Sequence, residues 1–327
     1  MYTLINNSHD PRYNLALEEY VLKNIDLDDD LVFLWQNEPS IIIGRNQNTI
    51  EEVNLEYVTK NNINVVRRTS GGGAVYHDFG NVNFTFMTKS LKDNLNNYRK
   101  FTEPVIKALQ HFGVPAEFAG RNDIVVDGQK ISGNAQSYYK NNMFHHGTIL
   151  FNVDLNMVQK VLTVKPDKIQ SKGIKSVRSR VTNIYPYLQE KVTVKEFQAQ
   201  LLKYLLGDNF KVLELSEDDL AKIQKLRDEK YATWEWNFGE SPEFDIQKSN
   251  RYAGGSIDVR LNVDNGLIKD IKIFGDFFGR KEVSELIPLL IGQKYEAQNI
   301  RVILEQVNLE EYFYNITLDD FINCLFY

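Results

Sequence analysis

GRNDIVVDGQKISGNAQ, residues 120–136, sets a two-residue turn signal between two runs of alternating side chains. Asp127 and Gly128 suit a type I′ turn, whose central residues both need positive φ. With that pair as the loop, Val125 faces Lys130 across the ladder, and period-two alternation places Asp123, Lys130, Ser132 and Asn134 on one face. Ile124, Val126 and Ile131 take the opposite face, toward a core. A slip of the turn by one position, to Gly128 and Gln129, keeps the same assignment. A lysine, a carboxylate, a hydroxyl and an amide thus gather on one side of a sheet. That side is either the wet face of a hairpin or a face that meets a ligand. Glycines at 120, 133 and 147 favour the second, because glycine inside strand patterns often marks close approach of a ligand or backbone.

Outward from this hairpin, residues 64–153 are rich in β-branched and aromatic residues. Residues 31–36 (LVFLWQ) and 40–44 (SIIIG) read as two buried strands joined by a turn at Asn37, Glu38 and Pro39. Helical spacing marks residues 12–25 and 101–112, the latter through Phe101, Val105, Leu109 and Phe112. Beyond Asp154 the pattern turns helical at 193–206 and 216–231, opened by Thr193-x-x-Glu196 and the similar Ser216-x-x-Asp219. The polar stretch GESPEFDIQKSN (239–250) marks a boundary. After it come two strands, 251–263 and 267–274, around Asp264, Asn265 and Gly266, then helices. The expected class is α+β: a mixed β-sheet with covering helices over residues 1–244, and a small α+β unit over 245–327.

Three consecutive glycines stand out in RRTSGGGAVYHD, residues 67–78. A loop of this kind exposes backbone N–H groups that no Cβ shields, and an anion can approach it closely. Arg67 and Arg68 add charge-assisted donors. Gly73 is expected to combine this open approach with positive φ. The alternative is a tight turn with surface arginines. The loop lacks the Gly-Lys-Ser/Thr ending of a P-loop, and Tyr76 stands where a dinucleotide fingerprint needs its third glycine. Farther on, residues 171–180 (SKGIKSVRSR) hold four basic side chains and no acidic one. A solvated basic loop is the plain reading; the alternative is a loop that orders over an anionic intermediate and shields it from water.

With 327 residues and 43% hydrophobic content, the chain has material for a large domain and a small one. A net charge of -6 and a pI near 5.5 argue against nucleic-acid binding as the main task. Cys324 is the only cysteine, which excludes an intramolecular disulfide. The N-terminus lacks a basic start and an apolar core of signal-peptide length, and no apolar run approaches a bilayer span. The expected location is the cytoplasm, with neither membrane nor nucleic acid as partner.

RRTSGGGAVYHDFGNVNFTF (67–86), GRND (120–123), KISGNAQ (130–136), HHGTIL (145–150) and SVRSRVTN (176–183) together resemble the lipoate–protein ligase A family. NLALEE (14–19), GRNQN (44–48) and WEWNFG (234–239) extend the resemblance over nearly the whole chain. It implies a catalytic domain of the biotin/lipoate-ligase fold and a smaller C-terminal accessory domain. It also implies two half-reactions: lipoate and ATP give lipoyl-AMP and pyrophosphate, with Mg²⁺ accompanying the ATP, and the acyl group then moves to a lysine of a lipoyl carrier domain. The implied carriers are subunits of 2-oxoacid dehydrogenase complexes and the glycine-cleavage H protein.

Carried over by motif, Arg68, Gly73, Ala74, Val75 and Tyr76 contact the nucleotide. Lys130 is the catalytic residue and touches both acyl carboxylate and phosphate. Gly72, His77, Asn83, Asp123 and His146 are the further substrate contacts, and an apolar tunnel lined by sheet residues takes the dithiolane chain. An ATP-independent lipoyl or octanoyl transferase of the same fold needs a thiolate nucleophile, and Cys324 lies far in sequence from every motif. A biotin ligase shares the adenylate chemistry but not the Arg-Arg-x-Ser-Gly-Gly-Gly and KISGNA strings. A non-catalytic lipoate-binding protein is a third reading, of a different class.

Overall fold

The structure, a computed structural model, describes residues 1–47, 49–89, 94, 96–162, 181–238, 246–264 and 266–326. The basic segment 171–180 therefore lies outside the described residues, as does the start of the polar stretch after Trp236. Two compact units emerge. The first holds Met1–Ile42, Ile50–Arg67 and Val75–Asn237; the second holds Ile43–Thr49, Arg68–Ala74 and Phe238–Tyr327.

In the first unit, an eight-stranded sheet runs in the order β11 (Lys211–Val212), β1 (Tyr2–Thr3), β2 (Leu31–Trp35), β6 (Asn81–Thr88), β10 (Asn142–Leu150), β9 (Gln129–Tyr139), β8 (Asp123–Val126) and β7 (Glu117–Ala119). β1 pairs parallel with both β11 and β2, and the other pairs are antiparallel. All five residues of β2 are buried because both faces of the sheet are covered. Val32 and Leu34 join the core built with Phe101, Val105, Leu109, Phe197 and Leu201 of the helices Tyr98–His111 and Val194–Leu206. Leu31, Phe33 and Trp35 face Leu15, Ala16 and Tyr20 of the helix Pro11–Asn24. The helical spacing expected over 101–112 is thus the buried stripe of a real helix.

The expected strands at 31–36 and 40–44 are both present, but in different sheets. β3 (Ser40–Ile43) lies at the centre of a three-stranded sheet between β4 (Asn64–Arg67) and β5 (Val75–His77). The helix expected over 216–231 is α-helical only over Glu217–Leu226 and ends in a π-turn at Arg227–Tyr231. There Tyr231, 1% exposed, donates its hydroxyl to Glu19 at 2.5 Å. Both capping boxes form. Thr193 Oγ1 accepts from Glu196 N at 3.3 Å, and Glu196 accepts from Thr193 N at 2.7 Å. Thr193→Ala removes the first bond and is expected to lower stability by about 1 kcal/mol, read as a lower urea midpoint with unchanged ligand binding.

The second unit contains the antiparallel sheet β12 (Ile246–Tyr252), β13 (Gly255–Asp264) and β14 (Leu267–Gly275). Its core combines Ile257, Val259 and Leu261 of β13 with Phe313, Phe321 and Leu325. β12 corrects the sequence reading, which gave 239–250 to a polar boundary stretch and ran one strand over 251–263, where the structure has two strands that turn between Tyr252 and Gly255. As an edge strand it keeps much of its length exposed, and its composition carries little apolar signal. Among the described residues, no helix is long and apolar enough to cross a membrane.

Candidate active site

Asp127 and Gly128 form the expected turn, with φ of 50° and 74°. Val126 pairs with Gln129 and Val125 with Lys130, as the sequence predicts. One step further the register shifts. Ile124 pairs with Ser132 and Asp123 with Gly133, so Ile131 is an extra residue, a β-bulge. Cross-strand partners share a face, so the bulge exchanges two of the expected residues. Asp123 and Lys130 stay together, but Ser132 and Asn134 turn to the face of Ile124. There Asn134 Nδ2 donates to Ser132 Oγ at 3.1 Å, and Asn134 Oδ1 lies 3.1 Å from His145 Nε2. His145 is fully buried, stacks on Phe101, and has its pKa pushed well below the usual value by desolvation, with neighbouring His146 adding to the shift. It is a neutral structural residue.

Gly133 takes the place that an unbulged strand would give to Ser132. A Cβ on Gly133 would lie 2.9 Å from Lys130 Nζ, so the lysine lies over this glycine. Nζ reaches Asp123 at 2.7 Å, with about a third of each side chain exposed. Register extends the line across the sheet. Asp123 pairs with Gly133, Gly133 N donates to Thr148 Oγ1 at 3.2 Å, Thr148 pairs with Asn83, and Asn83 pairs with Trp35. Five residues from β8, β9, β10, β6 and β2 thus form one row on one face, with the lysine over its Asp123–Gly133 end.

The adjoining row contains Phe33, Thr85, His146 and Ala135. Trp35 Nε1 donates to Thr85 Oγ1 at 2.8 Å, Thr85 Oγ1 donates to Glu18 at 2.5 Å, and His146 Nδ1 lies 3.0 Å from the same carboxylate. A carboxylate only accepts, so Nδ1 is the protonated nitrogen. The network ties the helix Pro11–Asn24 to three strands. Adjacent Glu19 points elsewhere, to Lys23 and Lys230 at 2.6 and 2.7 Å.

On β5, Val75, Tyr76 and His77 pair with Ile42, Ile41 and Ser40. His77 Nδ1 is 3.0 Å from Asn37 Nδ2, and its ring meets Trp35 edge-on at 6.5 Å. Tyr76 has its pKa pushed up to about 12, first by burial and then by Asp78 and Asp154. Arg67 turns back to Trp236 O at 2.9 Å, while its backbone N–H donates to Asn237 Oδ1 at 2.9 Å. The WEWNFG string therefore holds the end of β4.

In the second unit, Arg68 braces the glycine loop from within. Its Nη2 donates to Gly71 O at 2.7 Å and Gly73 O at 2.9 Å, and its Nε to Ser70 Oγ at 3.0 Å. The three glycines differ in purpose. A Cβ on Gly71 would lie 2.6 Å from Phe277 O, and one on Gly72 would lie 2.9 Å from Phe278 Cζ. Nothing lies within 4 Å of a Cβ on Gly73. Positive φ occurs at Gly72 (94°) and not at Gly73, which corrects that part of the sequence reading. Packing against Phe277 and Phe278 accounts for the first two glycines. Gly73 has open space beside it.

Residues 10–206 match the family model for the lipoyl protein ligase A/B catalytic domain, and residues 241–325 match that for the bacterial lipoate protein ligase C-terminus. The chain belongs to the lipoate–protein ligase family. It is 52% identical to the lipoate-protein ligase LplJ of Bacillus subtilis (strain 168), over 98% of each chain. Its structure is similar to that of P. falciparum LipL1 in complex with lipoate, with TM-score 0.79, 28% identity, and coverage of 98% of this chain and 97% of the other. It is also similar to a lipoate-protein ligase A bound with ATP, with TM-score 0.63, 30% identity, and coverage of 73% and 98%.

Within this family frame, several residues of the row and of the network around it escaped the sequence reading. Thr148 and Asn81 lay inside the quoted HHGTIL and 67–86 strings without a role, and Trp35 was read only as part of a buried strand. Glu18 lay inside the quoted NLALEE string without a role. A buried glutamate beside an apolar helical stripe is the signal that could have singled it out, since such a carboxylate needs donors.

Proposed function

We propose that the chain activates free lipoate with ATP to lipoyl-AMP and transfers the lipoyl group to a lysine of a lipoyl carrier domain. The observation that carries this reading is the Lys130 ammonium lying over Gly133 and paired with Asp123, at one end of the row that continues through Thr148 and Asn83. Activation brings a carboxylate against a phosphate. A cation that bridges the two anions lowers their repulsion and stabilises the charge of the transition state. Lys130, a compact point charge on a flexible stem, suits that role. Arg68 and Gly73 to Tyr76 are the nucleotide contacts in this reading. Gly72, His77, Asn83, Asp123 and His146 join Lys130 as substrate contacts.

Lipoate-dependent exchange of label between pyrophosphate and ATP tests the reading directly. Exchange that ignores lipoate, or none at all, would leave a binding protein without ligase chemistry. Mg²⁺ reaches such sites on the phosphates and needs one or two carboxylates in addition. Among the described residues no cluster of three ligating side chains occurs, but Asp123 on the row supplies one oxygen donor of the right kind. The metal would offset phosphate charge. The carriers in this reading are those of 2-oxoacid dehydrogenase complexes and the glycine-cleavage H protein, and the setting is the cytoplasm.

The ATP-independent alternative needs a thiolate. Cys324 is 3% exposed, and its pKa is pushed up to about 11, mainly by desolvation and then by Asp258. Such a thiol is a core side chain and not an activated nucleophile. Cys324→Ala is therefore expected to keep ligase turnover within about twofold, with a stability loss of about 1–2 kcal/mol for the small cavity. Loss of lipoyl transfer in a folded variant would restore the thioester route.

A further inference from the structure

Asn81 and Asn83 open β6 two residues apart, on the face that carries Lys130, and are 0% and 1% exposed. Asn81 Nδ2 donates to Asn83 Oδ1 at 2.9 Å, which fixes the plane of the second amide. Two polar atoms then remain with no partner, Asn83 Nδ2 and Asn81 Oδ1. Buried amide donors are nearly always satisfied, because an unmade bond in a protein interior is costly. The orphaned Nδ2 belongs to the row in which Thr148 and Gly133 separate it from the Lys130 ammonium. A cation and a neutral donor thus flank the same stretch of sheet.

The geometry points to Asn83 Nδ2 as the hydrogen-bond donor to the acyl oxygen during transfer, an oxyanion donor. This rests on the ligase reading. In the transfer step the neutral ε-amine of the acceptor lysine adds to the acyl carbon of the adenylate. A C–N bond forms and the carbonyl π pair moves onto oxygen. That oxygen takes a full negative charge for which the adenylate itself has no need of a strong donor. When the carbonyl re-forms, the bond from acyl carbon to the phosphate oxygen breaks and AMP leaves with the electron pair. The surplus proton on nitrogen passes to water. A donor already oriented by Asn81 and shielded from bulk water has no reorganisation to undergo as the charge appears, which is the condition for strong oxyanion stabilisation. Lys130, bridging acyl group and phosphate, meets charge that is present throughout. Asn83 serves the oxygen whose charge is transient.

Two variants separate this role from its alternatives. Asn83→Ala deletes the amide, and Asn83→Asp keeps its shape but removes the donor. Each is compared with the unaltered protein in lipoate-dependent pyrophosphate exchange and in single-turnover transfer from preformed lipoyl-AMP to an apo carrier domain. The expected result is a transfer rate lower by about 100-fold or more, with exchange reduced less than about tenfold and the thermal midpoint of at least one variant near that of the parent. Equal losses in both half-reactions would overturn the proposal in favour of general substrate positioning. Unchanged transfer in either folded variant would overturn it too. Absence of lipoate-dependent exchange in the unaltered protein would instead defeat the ligase reading itself.

Discussion

Lys130→Ala is expected to leave a folded protein that forms lipoyl-AMP at least about 10³-fold more slowly, because the cation proposed to bridge carboxylate and phosphate has gone. The fold should survive. Lys130 and Asp123 are each about one-third exposed, and ion pairs of that kind contribute little, about 0–1 kcal/mol. Water can reach Asp123 once the lysine is removed. The measurement is lipoate-dependent pyrophosphate exchange beside a thermal melt. Near-normal exchange in a folded variant would remove Lys130 from the mechanism, and a collapsed melt would show that the side chain holds the sheet together.

Gly133→Val should come close to the same loss without touching any charge. A Cβ at this position meets Lys130 Nζ at 2.9 Å and Cε at 3.0 Å, and valine adds two methyl groups around that point. The obstacle is the far end of a flexible side chain, so the lysine moves and the backbone need not. Gly133 does not adopt positive φ, and a β-branched residue is at home in a strand. A displacement of the ammonium by about 1 Å can cost about 100-fold in rate. Turnover is therefore expected to fall about 100-fold in the valine variant and less in Gly133→Ala, with both variants as stable as the parent. If Gly133→Val turned over normally, the lysine would have another place from which to work.

Local chemistry made much of this legible in the sequence. The Asp-Gly turn, the capping boxes at Thr193 and Ser216 and the stripe from Phe101 to Leu109 depend on residues within one turn or one helix, and each is where the sequence placed it. The bulge at Ile131 is different. It exists because Ile131 and Ser132, both 0% exposed, must be buried while Lys130 and Asp123 remain partly open, and that demand comes from helices packed beneath the sheet. Alternation alone cannot count an extra residue. Ser132 and Asn134 were consequently assigned to the wrong face. The glycine loop shows the same limit. Its composition suggested anion approach at every glycine, but Gly71 and Gly72 answer to Phe277 and Phe278 from much later in the chain. Only a tertiary contact could separate them from Gly73. β12 escaped because an edge strand can be written almost entirely in polar residues.

The bulge also makes β9 behave like a reading frame. From Ser132 onward, each residue's face depends on one inserted position at Ile131. A one-residue insertion or deletion between 132 and 139 would act as a frameshift in space: the residues beyond it would exchange sides although their identities were unchanged. Point substitutions along this strand act one side chain at a time, whereas length changes rewrite a whole face. Chimeras between relatives should therefore be spliced at the Asp127–Gly128 turn or beyond Tyr139, where a change of one residue alters a loop and leaves the phase of the sheet intact.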